Sequence, residues 1–309
     1  MKAKPGKIIS QIAIWLVVLL FALSCLLPLL NMVAISLSGS DAVAANKVGL
    51  WPVDFTITTY NKLLGDSQFW HSFWISVKRV VIGTLINMFF TISMAYPLSK
   101  SKKRFRAREI YMKIVIFAML FNGGVIPLFM VVSKLHLNNT IWSLVLPGAV
   151  PVFNVILLIN FFKGVPESLD EAARMEPLYA GTERPVLALV ARIDGAGPLT
   201  VLLKVYLPIS LPALATVGLF AIVNHWNDYF SGLIYMSKAS MYPLQTYIQQ
   251  LTVDLTQITD ADQLKQLSAL NNRSFNAAKI VVSTIPLLII YPFLQKYFVT
   301  GMVIGAVKE

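Results

Sequence analysis

The chain has 309 residues, of which 56% are hydrophobic and 13% are charged. Soluble globular domains use about 45–50% apolar and about 25% charged residues, so the composition excludes an ordinary soluble domain. The formal net charge of +11 would suggest nucleic-acid binding in a soluble protein, but in a membrane protein it sets the orientation of the spans, and no nucleic-acid partner is expected. With three histidines and one cysteine, we expect neither a metal site nor catalytic residues.

Apolar runs long enough to cross about 30 Å of hydrocarbon recur along the chain. They predict an all-α, polytopic membrane protein with six transmembrane helices. The predicted spans are residues 11–36, 80–98, 110–132, 141–162, 209–236 and 277–299. The first run is too long for the apolar part of a signal peptide and lacks a small-residue cleavage site, so it is interpreted as a span.

The distribution of basic residues predicts the orientation of these spans. An even number of spans places both termini on the same side of the membrane. The densest basic cluster, Lys100 to Arg108, lies between the second and third spans, and short loops rich in Lys and Arg are retained in the cytoplasm. We therefore expect cytoplasmic N- and C-termini.

Polar residues within the spans are sparse, and two groups of them stand out. In the fifth span, Asp228 lies in the most polar patch, and a charge at that depth costs about 2.5–3.5 kcal/mol on insertion scales. The acid fits a cavity-lining role, a hydrogen bond between helices, or an interfacial position near the outer end of the span. In the third span, Gly123, Gly124 and Pro127 fit either an unwound, cavity-lining turn or close helix packing with a kink.

The loop between the fourth and fifth spans carries the most informative motifs. Pro166 followed by acidic residues predicts the start of a short helix. The motifs of this loop are Asp170-Glu171-Ala172-Ala173, Ile193-Asp194-Gly195-Ala196 and Leu207-Pro208-Ile209-Ser210-Leu211-Pro212. Together with the six spans, they resemble the permease subunits of ATP-binding-cassette importers.

Two further motifs narrow the resemblance. The sequence Trp226-Asn227-Asp228-Tyr229-Phe230 is similar to the maltose-importer type of carbohydrate permease. The stretch from Phe121 to Pro127, with Asn138, Thr140 and Trp142 after it, resembles the subgroup that imports larger acidic or plant-derived oligosaccharides, including alginate.

The resemblance implies a type I importer permease, with residues 1–309 forming one transmembrane domain in the bacterial inner membrane. A cytoplasmic coupling loop over 163–208 would contact the ATPase. The residues expected to make this contact are Glu171, Ala172, Ala173, Asp194 and Gly195. The residues expected to line the translocation path or to contact a second permease are Asn224, Asn227, Asp228 and Tyr229.

The resemblance also implies the partners and the substrate. The chain would transport a carbohydrate, and most simply an oligosaccharide, together with a second homologous permease subunit, an ATPase dimer and an extracytoplasmic solute-binding protein, in contact with membrane lipid. We expect no cofactor on this chain and no enzymatic activity of its own. ATP and Mg would bind to the partner ATPase subunits.

One segment departs from the family pattern. In the family, the Glu-Ala-Ala-Arg motif continues directly into Ile-Asp-Gly-Ala, whereas here residues 175–192 intervene. This segment contains Pro177, Gly181 and Pro185, which interrupt a helix. We interpret 175–192 as an insertion that loops out from the coupling helix and puts the coupling contact in question.

Three alternative functions remain open. The chain could be an importer permease for a different solute, or an ion-coupled secondary transporter that uses Asp228 as its ion-linked acid. The secondary transporter predicts internal repeats, which the sequence does not show, and leaves the loop motifs unexplained. A membrane-embedded enzyme is weaker still, because no nucleophile and base converge on one face of any span.

Overall fold

The computed structural model describes residues 5–165, 197–254 and 272–306. Within these ranges all regular structure is helical. The helices are α1 (Pro5–Ser36), α2 (Ser40–Ala44), α3 (Thr58–Gly65), α4 (Ser67–Ser99), α5 (Arg108–Leu120), α6 (Val125–Lys134), α7 (Ile141–Val145), α8 (Val152–Lys163), α9 (Pro198–Ile209), α10 (Leu211–Asn227), α11 (Phe230–Tyr235), α12 (Leu244–Asp254) and α13 (Asn272–Ala306). The chain divides into two compact units, Met1–Ser72 with Tyr247–Leu288 and Phe73–Thr246 with Ile289–Glu309.

Three helical segments are long and apolar enough to cross a membrane by themselves: Gln11–Ser36, Ser67–Ser99 and Arg273–Pro292. Three pairs of shorter helices pass the same test together but are bent, α5 with α6 by 111°, α7 with α8 by 48° and α9 with α10 by 85°. The described residues therefore hold three spans, or up to six if each bent pair is one span. The prediction of an all-α membrane protein is confirmed, and each predicted span overlaps one of these segments.

The boundaries of two predicted spans are wrong. The second was predicted to begin at residue 80, but α4 begins at Ser67 and includes Lys78 and Arg79. The fifth was predicted to run to residue 236, but α10 ends at Asn227 and Asp228 has an extended backbone, with ψ of 102°. In both cases a charged residue was misplaced. Arg79 was left outside the second span and Asp228 was placed inside the fifth, because the contact between the two could not be identified from the sequence.

The third span is broken at its glycine pair. Residues 121–124 are non-helical and exposed, and Gly124 has φ of +86°, which L-amino acids rarely adopt. Among the described residues, a Cβ at Gly123 would meet only a carbon of Phe121, at 3.9 Å, so this glycine makes no close helix contact within that part of the chain. Of the two predicted roles, the unwound turn is found and close packing is not.

The first unit contains the most exposed apolar helix of the described chain. In Gln11–Ser36 none of the most apolar window is buried. Within this unit, Asn31 Nδ2 of α1 donates to the Gly49 carbonyl over 2.6 Å, and the Tyr247 hydroxyl of α12 donates to Asp66 after α3. Burial raises the pKa of the Tyr247 phenol, and the hydrogen bond to Asp66 raises it further.

The core of the second unit lies where the last turns of α4, α8 and α9 meet. Tyr96 packs edge-to-face on Tyr206 and Phe162, with ring centroids 5.1 and 6.5 Å away. Val155 and Leu158 of α8 are fully buried beside them. Such aromatic contacts add about 0.5–1.5 kcal/mol beyond the area that they bury, so this cluster fixes the three helix ends to one another.

Candidate functional site

One face of α4 is lined with polar and small residues. Its buried positions recur at helical spacing and include Ser76, Arg79, Gly83, Asn87, Thr91 and Ala95. The opposite face is apolar and exposed, including Val81, Leu85 and Phe89. Membrane helices associate through small residues and interhelical hydrogen bonds, whereas the apolar side chains face lipid. The polar face of α4 therefore packs against the rest of the second unit.

Arg79 is the charged residue of this face, and only 2% of its side chain is exposed. Its guanidinium forms an ion pair with the Asp228 carboxylate and donates to the Asp228 carbonyl over 2.7 Å. It also donates to the Leu144 carbonyl over 3.2 Å. One side chain of α4 thus binds both the end of α10 and the helix α7.

These bonds explain how a charged residue is accommodated in a membrane helix. Where a helix stops inside an apolar environment, its last carbonyls lose their intrahelical donors, and each unsatisfied group costs several kcal/mol in hydrocarbon. Asp228 follows the last residue of α10, and its carbonyl receives Arg79 instead. Its carboxylate also accepts from the Ser231 amide over 3.1 Å, which satisfies a free donor in the first turn of α11.

Asn87 has a similar role two turns further along α4. Its Nδ2 donates to the Gly148 and Ala149 carbonyls, over 2.7 and 3.0 Å, at the bend between α7 and α8. Its Oδ1 lies 2.9 Å from Nε2 of the buried His225. Because the amide group of Asn87 donates to the carbonyls, its oxygen must accept, and the network therefore assigns the proton to Nε2 of His225.

His225 lies close to α4 because residue 83 is a glycine. A Cβ at Gly83 would overlap the imidazole ring, with its Cε1 atom only 2.6 Å away. This separation is shorter than real Cβ contacts, so a side chain at position 83 would displace the histidine. The hydrogen bond between His225 and Asn87 therefore depends on the absence of a side chain at Gly83.

The predicted residues of the translocation path are divided between two environments. Asp228 takes part in the Arg79 contacts, whereas Asn224, Asn227 and Tyr229 are exposed. Tyr229 is 44% exposed, and its carbonyl accepts from the buried Thr246 hydroxyl over 2.7 Å. The structure therefore brings Asp228 into an internal network and leaves the other three side chains available to a partner or a solute.

The predicted coupling residues Glu171, Ala172, Ala173, Asp194 and Gly195 lie outside the described residues, as does the proposed insertion 175–192. The structure reaches Val165 on one side of this loop and resumes at Gly197. At the end of α9, Pro208 and Pro212 flank Ser210, where the chain turns by 85° into α10. Among the residues that the structure describes, no cluster of three or more metal-binding side chains occurs.

The sequence interpretation missed Arg79, Asn87 and Gly83. A signal for them exists, because polar and small residues recur every three or four positions through 76, 79, 83 and 87. The contact between Arg79 and Asp228 joins residues 149 positions apart, so helical spacing alone could not pair them.

Known proteins resemble this chain along almost its whole length. The family described as "Binding-protein-dependent transport system inner membrane component" matches residues 186–304. The polygalacturonan/rhamnogalacturonan transport system permease protein YtcP of Bacillus subtilis is 36% identical, over 94% of this chain and 95% of that protein. Protein LplC of the same organism is 37% identical, over 92% of this chain and 89% of its own.

A solved structure shows the same fold. It is a chain of a bacterial ABC transporter involved in the import of the acidic polysaccharide alginate, with a TM-score of 0.80 and 32% sequence identity. The similarity covers 96% of this chain and 99% of that one. The chain therefore belongs to the binding-protein-dependent transport permeases, the inner-membrane components of systems that work with a separate solute-binding protein and an ATPase.

Proposed function

We propose that this chain is one half of the transmembrane pore of an ATP-driven importer that takes up an oligosaccharide. The observation that carries the proposal is the similarity over 94% of the chain to a permease named for polygalacturonan and rhamnogalacturonan transport. The structural similarity to a chain of an alginate importer supports the same substrate class. Both names denote acidic polysaccharides, so the proposed substrate is an oligosaccharide that carries carboxylates.

The proposed assembly contains a second homologous permease, two ATPase subunits and an extracytoplasmic solute-binding protein. Glu171, Ala172, Ala173, Asp194 and Gly195 are proposed to form the contact with an ATPase subunit. Small alanines let a short helix sit closely in a groove, and an acid in the first turn can meet a basic partner. Closure of the ATPase dimer would then move this helix and rock the spans behind it.

The proposed orientation places both termini and the loop 163–208 in the cytoplasm. Its support is the cluster from Lys100 to Arg108 between α4 and α5, where positive charge opposes translocation across the membrane. Asn224, Asn227 and Tyr229 would then lie toward the outer side, where they are proposed to contact the partner permease or the solute. Asp228 would act there through its bond to Arg79.

The assembly can be tested by native mass spectrometry of the tagged chain after gentle extraction. We expect a second six-span subunit and two copies of an ATPase to accompany it. A chain recovered alone or as a homodimer, with no ATPase, would contradict the proposal. Repeating the experiment with a variant that lacks 175–192 shows whether the insertion interferes with assembly.

The substrate class can be tested by uptake measurements in reconstituted vesicles that contain the full set of subunits and the binding protein. We expect ATP-dependent uptake of a galacturonate oligosaccharide that exceeds uptake of a neutral oligosaccharide of equal length. Equal uptake of the two sugars would contradict the preference for an acidic substrate. It would not contradict the proposal that the chain is part of an importer.

The Arg79 contacts oppose the main alternative, an ion-coupled secondary transporter. Such a carrier needs a carboxylate that releases and rebinds its ion during transport. The Asp228 carboxylate is instead bound to a buried guanidinium, and two Ser231 groups also donate to it. The charge of Asp228 is thus already compensated by Arg79, which favours a structural acid over a coupling site.

A further inference from the structure

A loop of the first unit carries a group of large apolar side chains that are exposed. This aromatic loop runs over residues 45–57, between α2 and α3. Trp51 is 82% exposed and Phe55 is 69% exposed, and Leu50 and Ile57 are exposed as well. Single exposed apolar residues are common on protein surfaces, but four large ones within one short loop indicate an interaction surface.

Hydrogen bonds fix the aromatic loop to the end of α1. The Val53 amide donates to Ser38 Oγ over 3.0 Å, and the Val53 carbonyl accepts from the Gly39 amide over 3.1 Å. The Thr56 amide donates to the Leu37 carbonyl over 2.9 Å. Because these three bonds join the loop to the residues that directly follow α1, the loop stays at the level of the last turns of that helix.

The length of α1 gives the depth of this level in the membrane. Its apolar segment Gln11–Ser36 has 26 residues, which cover about 37 Å across the bilayer at the usual tilt of about 20°. The hydrocarbon is about 30 Å thick and the bilayer with its headgroups about 40–45 Å, so the helix ends among the headgroups. Asn31, which donates to the Gly49 carbonyl of the loop, lies about 7 Å deeper than Ser36. The aromatic loop therefore lies at the boundary between hydrocarbon and headgroups.

The composition of the loop favours lipid as its partner. Tryptophan is enriched at this boundary, because its ring is apolar and its N–H can stay hydrated. Lys47 and Asp54 of the same loop are exposed, and their charges oppose deeper entry into the hydrocarbon. Both residue types are depleted at the centre of protein interfaces, which makes a second subunit a poorer partner. We propose that the apolar side chains of the aromatic loop insert among lipid headgroups and anchor the end of α1.

The anchor acts on a helix that has little other support within the described chain. None of the most apolar window of Gln11–Ser36 is buried, so the depth of this helix depends on what binds its ends. The inference requires only that α1 spans the membrane, as expected for an inner-membrane component. It does not depend on the transported solute or on the direction in which the chain crosses, and its failure would leave the proposed function in place.

The test measures the depth of the loop in the full-length chain, reconstituted into bilayers with the subunits that accompany it. A nitroxide label is attached to Phe55→Cys on a Cys25→Ala background, and Trp51 stays in place. Collisions of the label with oxygen and with a water-soluble nickel chelate report its depth. We expect the label in the headgroup layer, within about 6 Å of the edge of the hydrocarbon.

The matched control is a label on Lys62→Cys, at an exposed polar position of α3. We expect this label to be in water and accessible to the nickel chelate. Equal access of the chelate to the two labels would place the aromatic loop in water, and a label at Phe55 that neither reagent reaches would place it against protein. Either result would overturn the proposal. Ile57→Cys, with the same expectation, serves if Phe55→Cys does not fold.

A second arm examines the native tryptophan, because a nitroxide label is itself apolar. Brominated lipids quench the fluorescence of tryptophans that they contact. The wild-type protein is compared with Trp51→Tyr, which keeps an aromatic ring suited to the headgroup layer. We expect the variant to lose one sixth of the total tryptophan emission, all of it from the quenchable part, since Trp51 is one of six tryptophans. Equal quenchable emission in the two proteins would mean that Trp51 does not contact lipid and would overturn the proposal.

Discussion

Three breaks in the helices of the second unit, leaving aside the 85° turn at Ser210, are of two kinds. At the bend between α7 and α8 and at the end of α10, side chains of α4 bind the freed carbonyls, with Arg79 on Leu144 and Asp228 and Asn87 on Gly148. At the break between α5 and α6, residues 121–124 are exposed, and the side-chain contact is local, from the Gly124 amide to Asn122 Oδ1 over 2.9 Å.

The difference shows which breaks fix helices of the second unit to one another. The contacts from α4 do so, whereas the break between α5 and α6 is held only by its own residues. A break whose carbonyls are bound by another helix is held to that helix, because separating the two exposes unsatisfied polar groups. A break held by one glycine and one local hydrogen bond constrains only its own residues. We therefore expect substitutions on the polar face of α4 to reduce stability most and substitutions in 121–124 to reduce it least.

The largest effect is expected from Arg79→Met, which keeps an unbranched apolar chain and removes the charge and the donors. The Asp228 carboxylate, 27% exposed, would lose its partner, and the carbonyls of Leu144 and Asp228 would lose their donor. We expect a loss of about 3 kcal/mol, at the low end for a broken buried ion pair because Asp228 keeps some contact with water. Unfolding by sodium dodecyl sulfate in mixed micelles measures it.

The adjacent Lys78 is the matched control for this substitution, because it is exposed on the same helix. Lys78→Met should change the free energy of unfolding by less than about 0.5 kcal/mol. Adding Asp228→Asn to Arg79→Met should recover some of the loss, since it removes the uncompensated charge. If Arg79→Met were no more destabilising than Lys78→Met, the ion pair would not hold α10 to α4.

The next effect is expected from Asn87→Leu. The substitution leaves the Gly148 and Ala149 carbonyls and Nε2 of His225 without their partner, in a buried setting. We expect a loss of about 2 kcal/mol in the same unfolding measurement, within the range for unsatisfied buried polar groups. Asn224→Leu, the same change at an exposed position of α10, should alter stability by less than about 0.5 kcal/mol. Similar losses for the two variants would refute a specific role for Asn87.

A smaller effect is expected from Gly83→Ala, because the new Cβ would overlap the His225 ring. Overpacking in a core costs about 1–3 kcal/mol, and the better helix propensity of alanine offsets up to about 1 kcal/mol, so we expect a net loss of about 1–2 kcal/mol. Gly218→Ala is the control, since its Cβ would make only an ordinary contact of 3.8 Å with Met88. It should be neutral or stabilising. Stabilisation by Gly83→Ala would show that His225 does not depend on close approach.

These residues also show what the sequence could predict and what it could not. Hydropathy located the three long candidate spans and the three bent helix pairs approximately, because a long apolar run has few alternatives to a membrane helix. Hydropathy failed at Arg79. It assigned this residue to a loop, because placing a lone arginine within a membrane has a high free-energy cost. Its compensation by Asp228 depends on a contact between distant residues, which a hydropathy window does not contain.

At the glycine pair, the sequence left two structures open for a similar reason. Gly123 and Gly124 permit both a close helix contact and an unwound turn, and only the neighbouring atoms decide between them. No neighbour crowds Gly123, and the positive φ of Gly124 identifies the turn. The motifs from Asp170 to Ala173 and from Ile193 to Ala196 indicated the transport family from residue identity alone, and their role in coupling stays a prediction.

The smallest effect is expected at the exposed break itself. Gly124→Ala should cost about 1 kcal/mol, because an L-residue at φ of +86° is strained and the exposed turn has room to relax. Gly123→Ala, with φ outside that region and no neighbour closer than 3.9 Å, should cost less than about 0.5 kcal/mol. Unfolding in mixed micelles compares the two variants. A loss at Gly124 as large as that at Arg79 would mean that this break is held as firmly as the others, and the distinction between bound and free breaks would fail.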